Sequence, residues 1–323
     1  MLYYNVFVPR TGPAMPRTTL VRFVLLTVLG LLALALAPPA RAEAPRVVVT
    51  IKPLHSLAAA VTEGVSTPHR LLADGSSPHA YSLKPSDMRA LHAADILLWV
   101  GPELETFLQG PIRSLPGTTH EIRALALPGM TLHRLHGQHT HDDHGHAGHD
   151  VDAHLWLDPG NARVIVDALE ARLRERDPAN ADRYAANAER LRQRLAALDR
   201  ELTSRLADLQ GSYVVFHDAY QYFERRYGLA HAAALTIDPG RTPGARRVSE
   251  IRALIRDTHA RCVFAEPQFR PALVDTLIQD TEARAAVLDP LGTDIADGPD
   301  AYAQLLLNLA AAFEDCLGGA VRR

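Results

Sequence analysis

Three histidines stand where an apolar run of the sequence meets a polar segment. His217 directly follows the run YVVF, His79 lies in a Gly/Ser/Pro-rich segment after HRLLA, and His154 directly precedes the run LWL. Open α/β sheets bind ligands just beyond the carboxyl ends of their strands. Neutral imidazoles that meet at such an edge can bind a transition metal, and zinc is the metal that they suit best.

Two carboxylates follow apolar runs in the same way. Asp289 comes after AAVL and Glu266 comes after CVFA, and a proline follows each of them. Both are therefore also typical of turns, and Glu266 is a better candidate for an ion-pair partner than for a ligand. The joint placement of three histidines with one or two carboxylates predicts a metal site.

A second concentration of histidine lies in HGQHTHDDHGHAGHD, residues 136–150, and the window 133–149 holds seven of the sixteen histidines. So polar a segment buries too little apolar surface to offset the entropy of ordering, which predicts a mobile loop over 133–150. The loop ends close to His154, so weak sites on it are tethered near the predicted metal site. It is either a zinc collector or a solvated spacer. Its candidate auxiliary ligands are His136, His139, His141, His144, His146 and His149.

The elements that must position these side chains are short runs, apolar on both faces, that alternate with helical patterns. Such runs are typical of parallel sheets covered on both sides. They fall into two groups, 46–51, 69–73 and 95–100, then 213–216, 262–265 and 285–288. We therefore predict an α/β fold of two lobes with mostly parallel sheets and a metal site in the cleft between them.

One long amphipathic segment separates the two groups and predicts a single rigid helix. Asp177 can cap it, Pro178 is a favoured first residue and Gly211 ends it. Apolar residues recur every three or four positions from Tyr184 to Leu209, without the strict heptad of a coiled coil. At 1.5 Å per residue the helix would be roughly 45 Å long.

The first 42 residues are predicted to be a cleaved signal peptide. Arg17 and Arg22 precede an apolar run over 23–37, and Ala40-Arg41-Ala42 forms a small-x-small cleavage site. The run is short for a membrane anchor, which is the alternative interpretation, and Met15 is a second candidate start. The predicted division is a signal peptide over 1–42, an N-terminal lobe over 43–177, a linking helix over 178–210 and a C-terminal lobe over 211–323.

Charge and cysteine content restrict the function. Removing residues 1–42 removes four arginines, which leaves 30 basic against 37 acidic residues and a net charge of −7. An acidic chain without a basic stripe argues against nucleic-acid binding. Cys262 and Cys316 are the only cysteines. After export we expect them to form a disulfide, with two buried thiols as the alternative.

Seven segments together carry a family resemblance: IKPLHSLAAAV, GSSPHAYSLKPSDMRAL, ADILLWVGPELE, HLWLDP, FHDAYQYFERRYGL, FAEPQF and LDPLGT. In this order, across 46–317, they resemble the periplasmic solute-binding proteins of high-affinity zinc ABC importers. The resemblance implies two α/β lobes flanking a rigid helix, a metal in the cleft, and a partner permease with its ATPase. It also implies a periplasmic location, and we expect a monomer with no stable membrane insertion of the mature chain.

The resemblance implies the zinc ligands His79, His154 and His217, with Asp289 as a candidate fourth. Manganese-binding relatives tend to have a carboxylate where this chain has His217, so the resemblance favours Zn(II). Some zinc-binding relatives have an acidic residue before the first histidine, but here Pro78 offers no donor. The fourth position is then filled by Asp289, by water or by a loop histidine, in that order of preference. Cys262 and Cys316 also resemble a disulfide of zinc-binding members.

Two other functions compete with zinc delivery. A manganese or iron carrier of the same fold is one, and competition binding would distinguish it. A secreted zinc hydrolase is the other, and it would need an open coordination position and a general base. The sequence has no H-E-x-x-H motif, and Glu266 is the one candidate base. We therefore expect a binding protein and no enzyme.

Overall fold

The computed structural model describes residues 43–135, 151–236, 244–267 and 272–318. The predicted signal peptide and all six candidate auxiliary histidines lie outside these residues. The helices are α1 (Lys52–Val61), α2 (Pro85–Ala93), α3 (Pro159–Arg176), α4 (Ala181–Leu206), α5 (Gln221–Tyr227), α6 (Ala245–Asp257), α7 (Ala272–Ile278) and α8 (Ala301–Leu317). Among the described residues, no helix is both long and apolar enough to cross a bilayer.

Two four-stranded parallel sheets confirm the predicted fold class. The first contains β1 (Val47–Val49), β2 (His69–Arg70), β3 (Ile96–Trp99) and β4 (His120–Arg123), in the order β2-β1-β3-β4. The second contains β5 (Tyr213–His217), β6 (Ala233–Thr236), β7 (Cys262–Ala265) and β8 (Arg284–Val287), in the order β6-β5-β7-β8. The two lobes therefore repeat one topology.

Strands β4 and β6 were not predicted. Both are edge strands, and their sequences HEIR and AALT lack the continuous large apolar side chains of the inner strands. An edge strand has a neighbour on one side alone, and a half-polar or alanine-rich strand gives little periodic signal.

The long helix α4 is shorter than predicted. It covers Ala181–Leu206 and follows a 3-10 turn over Pro178–Asn180, so its 26 residues span about 39 Å. Asp177 does not cap it directly, because the carboxylate accepts hydrogen bonds from the Tyr184 hydroxyl and the Asn180 amide. The apolar stripe predicted for this helix is buried.

One hydrophobic core extends from the first sheet through α3 and α4 to the second sheet and α8. A smaller cluster fills the other side of the second sheet, under α6 and α7. Helix α8 packs against α1 of the first lobe and against α4. A disulfide between Cys262 and Cys316 joins α8 to β7, which confirms the predicted bridge. The lobes thus share buried apolar contacts in addition to the helix between them.

Candidate metal centre

The structure brings His79, His154 and His217 together. One ring nitrogen from each histidine lies within 4.8 Å of those of the other two. The ring centroids are separated by 4.8 Å for His154 and His217, 5.2 Å for His79 and His217, and 5.4 Å for His79 and His154. Within the described part of the chain, this is the one group of three or more potential metal ligands at such spacing.

Each histidine comes from a different local structure. His217 is the last residue of the buried strand β5, as the sequence predicted. His79 lies on the segment between β2 and α2, and its backbone N–H donates to the Ser77 hydroxyl. The prediction that His154 lies at the end of a strand was wrong. His154 precedes a 3-10 helix over Leu155–Leu157, because the apolar residues there pack into the core as a single turn before α3.

Two carboxylates orient the buried imidazoles. Oδ1 of Asp152 accepts hydrogen bonds from Nδ1 of His154 at 2.7 Å and from the His154 backbone N–H at 2.9 Å. Oε1 of Glu266 lies 3.4 Å from Nδ1 of His217 and accepts a hydrogen bond from the Tyr220 hydroxyl. With Nδ1 of each ring directed at a carboxylate, Nε2 is the nitrogen that remains for a metal, which is the usual arrangement behind a metal-binding histidine.

Burial keeps these rings suited to metal binding. It lowers the pKa of His79 well below its usual value, and the neighbouring His154 and His217 lower it further. Burial also lowers the pKa of His154, as does His217, although the nearby Asp218 opposes this. A neutral imidazole has a free lone pair, so neither ring must release a proton before it binds a metal at neutral pH.

The environment of His79 tests whether the residues fit a metal. Its Nε2 atom is buried and has no hydrogen-bond partner among the described residues. A buried polar atom without a partner is costly unless a ligand or water satisfies it. The cavity that His79 lines together with His154 and His217 is also lined by Glu266, Trp156, Pro290 and Leu291. Three nitrogen donors that line one small cavity fit a zinc ion.

Asp289 lies outside this group of potential ligands. Its two carboxylate oxygens accept hydrogen bonds from the backbone N–H groups of Leu291 at 3.0 Å and Thr293 at 2.5 Å. They shape the turn after β8, as expected for an aspartate before proline. A role for Asp289 as fourth ligand stays a prediction. Pro78 lines the cavity and provides no donor.

The two ends of the His-rich loop are held on the second lobe. Arg134 and Val151 form an antiparallel bridge, and Gln221 donates to the Arg134 carbonyl at 2.9 Å. The Tyr222 hydroxyl accepts from the His133 N–H and donates to the Asp152 carbonyl at 2.8 Å. The loop therefore begins and ends beside Asp152, which contacts His154.

We expect protonation of the site to destabilise the metal-free protein. The folded state holds the pKa of His79 and His154 below that of an unfolded histidine, about 6.5. As pH falls through 6.5, the unfolded chain therefore binds protons that the folded chain excludes, and the free energy of unfolding decreases. We expect the Tm of metal-free protein to fall between pH 7.5 and pH 5.5.

The variant His79→Ala lacks one of the histidines whose pKa is lowered in the folded state, so its Tm should fall less between pH 7.5 and pH 5.5. The control His92→Ala removes an exposed histidine of α2 and should keep the full decrease. Thermal melts in a chelating buffer measure both. Equal decreases in the wild type and His79→Ala would contradict the pKa assignment.

Comparison with known proteins identifies related sequences and related folds. The family model described as "Zinc-uptake complex component A periplasmic" matches residues 47–316. The high-affinity zinc uptake system protein ZnuA of Brucella abortus is 40% identical over 309 residues, which cover 85% of this chain and 92% of the relative. A crystal structure of ZnuA covers 85% of this chain and 100% of its own, with a TM-score of 0.74 and 24% identity. The solute-binding protein FpvC of Pseudomonas aeruginosa, solved with Mn²⁺, covers 85% of this chain and 99% of its own, with a TM-score of 0.74 and 21% identity.

Proposed function

The chain belongs to the family of periplasmic zinc-uptake components, and we propose that it is the zinc-binding component of an ABC importer. It captures Zn(II) in the cleft between the lobes and delivers the ion to an inner-membrane permease, which a partner ATPase drives. The observation that carries this proposal is the convergence of His79, His154 and His217, from both lobes, on one buried cavity.

The donor set supports zinc over manganese. Three imidazole nitrogens suit tetrahedral zinc, whereas manganese sites usually have more oxygen donors. The manganese-bound neighbour shares the fold, so the fold by itself does not select the metal. In our proposal Nε2 of each histidine binds the ion and Asp289 fills the fourth position, ahead of water or a loop histidine. Competition between Zn²⁺ and Mn²⁺ for one chelator measures the selectivity.

We propose transport without catalysis. A zinc hydrolase needs a general base near an open coordination position. Glu266 is the candidate base, but its carboxylate accepts the Tyr220 hydrogen bond and faces Nδ1 of His217. These contacts hold the His217 ring in one orientation, so they support a positioning role for Glu266. An absence of zinc-dependent ester or peptide hydrolysis would agree with this assignment.

The sequence supports two further parts of the proposal, the export of the chain and the class of its partner. Residues 1–42 are the cleaved signal that directs the chain to the periplasm, and the mature chain acts as a soluble monomer. Its net charge of −7 favours a partner other than nucleic acid. The division into lobes over 43–177 and 211–323, joined by the segment 178–210 that contains α4, also remains our proposal.

Deletion of residues 136–150 tests the site and the loop together. We expect the mature protein to bind one zinc tightly and further zinc weakly, because the loop offers isolated His and Asp donors. The deletion should abolish the weak phase and leave the tight phase nearly unchanged, since the bridge between Arg134 and Val151 lies outside the deleted segment. Titration against a chromophoric chelator resolves the two phases. Loss of tight binding together with the loop would show that the cleft assignment is wrong.

A further inference from the structure

The shared core of the two lobes restricts how a bound ion can leave. The indole N–H of Trp156, in the first lobe, donates to the Pro290 carbonyl of the second at 2.8 Å. The Tyr302 hydroxyl donates to the Trp156 carbonyl at 2.7 Å, and the Tyr302 N–H donates to the Ser56 hydroxyl. All of these groups are buried. Opening the lobes as rigid bodies would break this packing, so local movement of the segments at the cavity is the less costly route.

Lys52 joins two of these segments. Its ammonium group donates to the carbonyls of Thr293 at 3.0 Å and Ile295 at 2.5 Å, both in the second lobe. It also lies 2.8 Å from Oδ1 of Asp74 in the first lobe. An ammonium group has three donors, so these three acceptors use all of them.

The ammonium group of Lys52 lies in a locally unfavourable place. This indicates that its contacts across the cleft determine where it lies. Lys52 is the first residue of α1, where the positive end of the helix dipole disfavours a cation. The side chain is also 4% exposed, and a buried ammonium group is costly unless fully paired. Neither effect stabilises α1 itself. The three acceptors offset both costs.

Arg70 makes a parallel contact. One guanidinium nitrogen lies 3.0 Å from Asp74, and another lies 3.0 Å from Asp297 of the second lobe. Asp74 therefore contacts two cations, each of which also reaches the second lobe. Lys52 and Arg70, with Asp74 and Asp297, form what we call the interlobe tie.

The tied segments are those that carry the site. Asp74 lies five residues before His79 on the same segment, between β2 and α2. On the other side, Thr293 and Ile295 follow Pro290 and Leu291, which line the metal cavity. The N–H groups of Leu291 and Thr293 are held by Asp289, so this turn presents its carbonyls to Lys52 in a fixed arrangement.

We propose that Lys52 is a positioning residue that holds the His79 segment against the second lobe and so limits the rate at which zinc leaves. This inference rests on the proposed function. His79 is the ligand on a loop, whereas His217 ends a strand and His154 sits at a buried turn. Withdrawal of the His79 segment is therefore the local movement that opens the site, and Lys52 must release its second-lobe carbonyls before it occurs.

The test compares zinc release from Lys52→Met with release from the wild type. Methionine keeps most of the apolar stem and removes the three donors. We expect the dissociation rate into excess chelator, measured by stopped flow, to rise by about tenfold or more, because hydrogen bonds to charged groups are among the stronger ones. The association rate should change much less. A merely structural loss would lower the metal-free Tm without this selective change in dissociation.

Arg123→Met is the matched control. It removes an ion pair between Arg123 and Glu103, at 3.0 Å, that lies wholly within the first lobe, and its zinc release should match the wild type. If Lys52→Met fails to fold, Asp74→Asn weakens the contact by which Lys52 holds the His79 segment, at a more exposed position, and should accelerate release by a smaller factor. Unchanged release in the folded Lys52 variant, or failing that in the Asp74 variant, would contradict the proposed role of Lys52. Absence of tight binding in the wild type would instead contradict the proposed function.

Discussion

Replacing His217 with alanine should remove most of the stabilisation that zinc gives to the protein. A ligand that binds the folded state alone stabilises it by RT ln(1 + [L]/Kd), about 4 kcal/mol at a thousandfold excess over Kd. For units of this size each kcal/mol raises Tm by roughly 2–4 °C. His217 is the second-lobe nitrogen of the cluster and is buried. Without it, the proposed site keeps only Asp289 from the second lobe, and one carboxylate joins the two lobes through the metal much less strongly than a carboxylate with an imidazole.

Three further variants make this result interpretable. His92→Ala removes an exposed histidine outside the cluster and should keep the full zinc-dependent shift. Asp289→Ala should lose less of the shift than His217→Ala, because water can replace a fourth ligand in a three-histidine site. His79→Ala should behave like His217→Ala. Differential scanning calorimetry with and without zinc measures all of them, and a full shift in His217→Ala would refute the interlobe site.

The inner strands and the histidines were predictable because their signals are local. An apolar run such as 213–216 is buried on both faces, and the residue that ends it, His217, must lie at the carboxyl edge of the sheet. The placement of His154 was less accurate, since LWL is compatible with either a strand or a buried helical turn. Periodicity over three residues does not separate these two.

The groups around the ligands were harder to predict. Asp152 is two residues from His154, and the segment DVDAH contains that spacing, but the sequence does not show that the aspartate turns back onto the ring. The contact between Glu266 and Tyr220 joins residues 46 positions apart, and that between Lys52 and Ile295 joins residues 243 apart. Such pairs depend on the packed lobes and leave no periodic trace in the sequence.

The Asp152→Ala substitution should weaken zinc binding by about 10–100-fold, the usual cost of removing the partner behind a metal-binding histidine. The carboxylate holds both the ring and the backbone N–H of His154, with distances of 2.7 and 2.9 Å. Its loss frees the ring to rotate and removes the charge that makes Nε2 a better donor. The free energy of zinc binding must then also offset the entropy that His154 loses when it becomes ordered.

Asp152→Asn separates these two effects. The asparagine carbonyl can still accept the Nδ1 hydrogen bond, so the ring stays oriented while the negative charge is lost. We expect affinity between those of the wild type and Asp152→Ala, measured by chelator competition at pH 7.5. The Tm without metal must be recorded beside each Kd, because Asp152 also lies at the base of the His-rich loop, where its carbonyl accepts from Tyr222. Wild-type affinity in Asp152→Ala would mean that His154 is oriented by the packing against Trp156 alone, whose ring centroid lies 5.2 Å away.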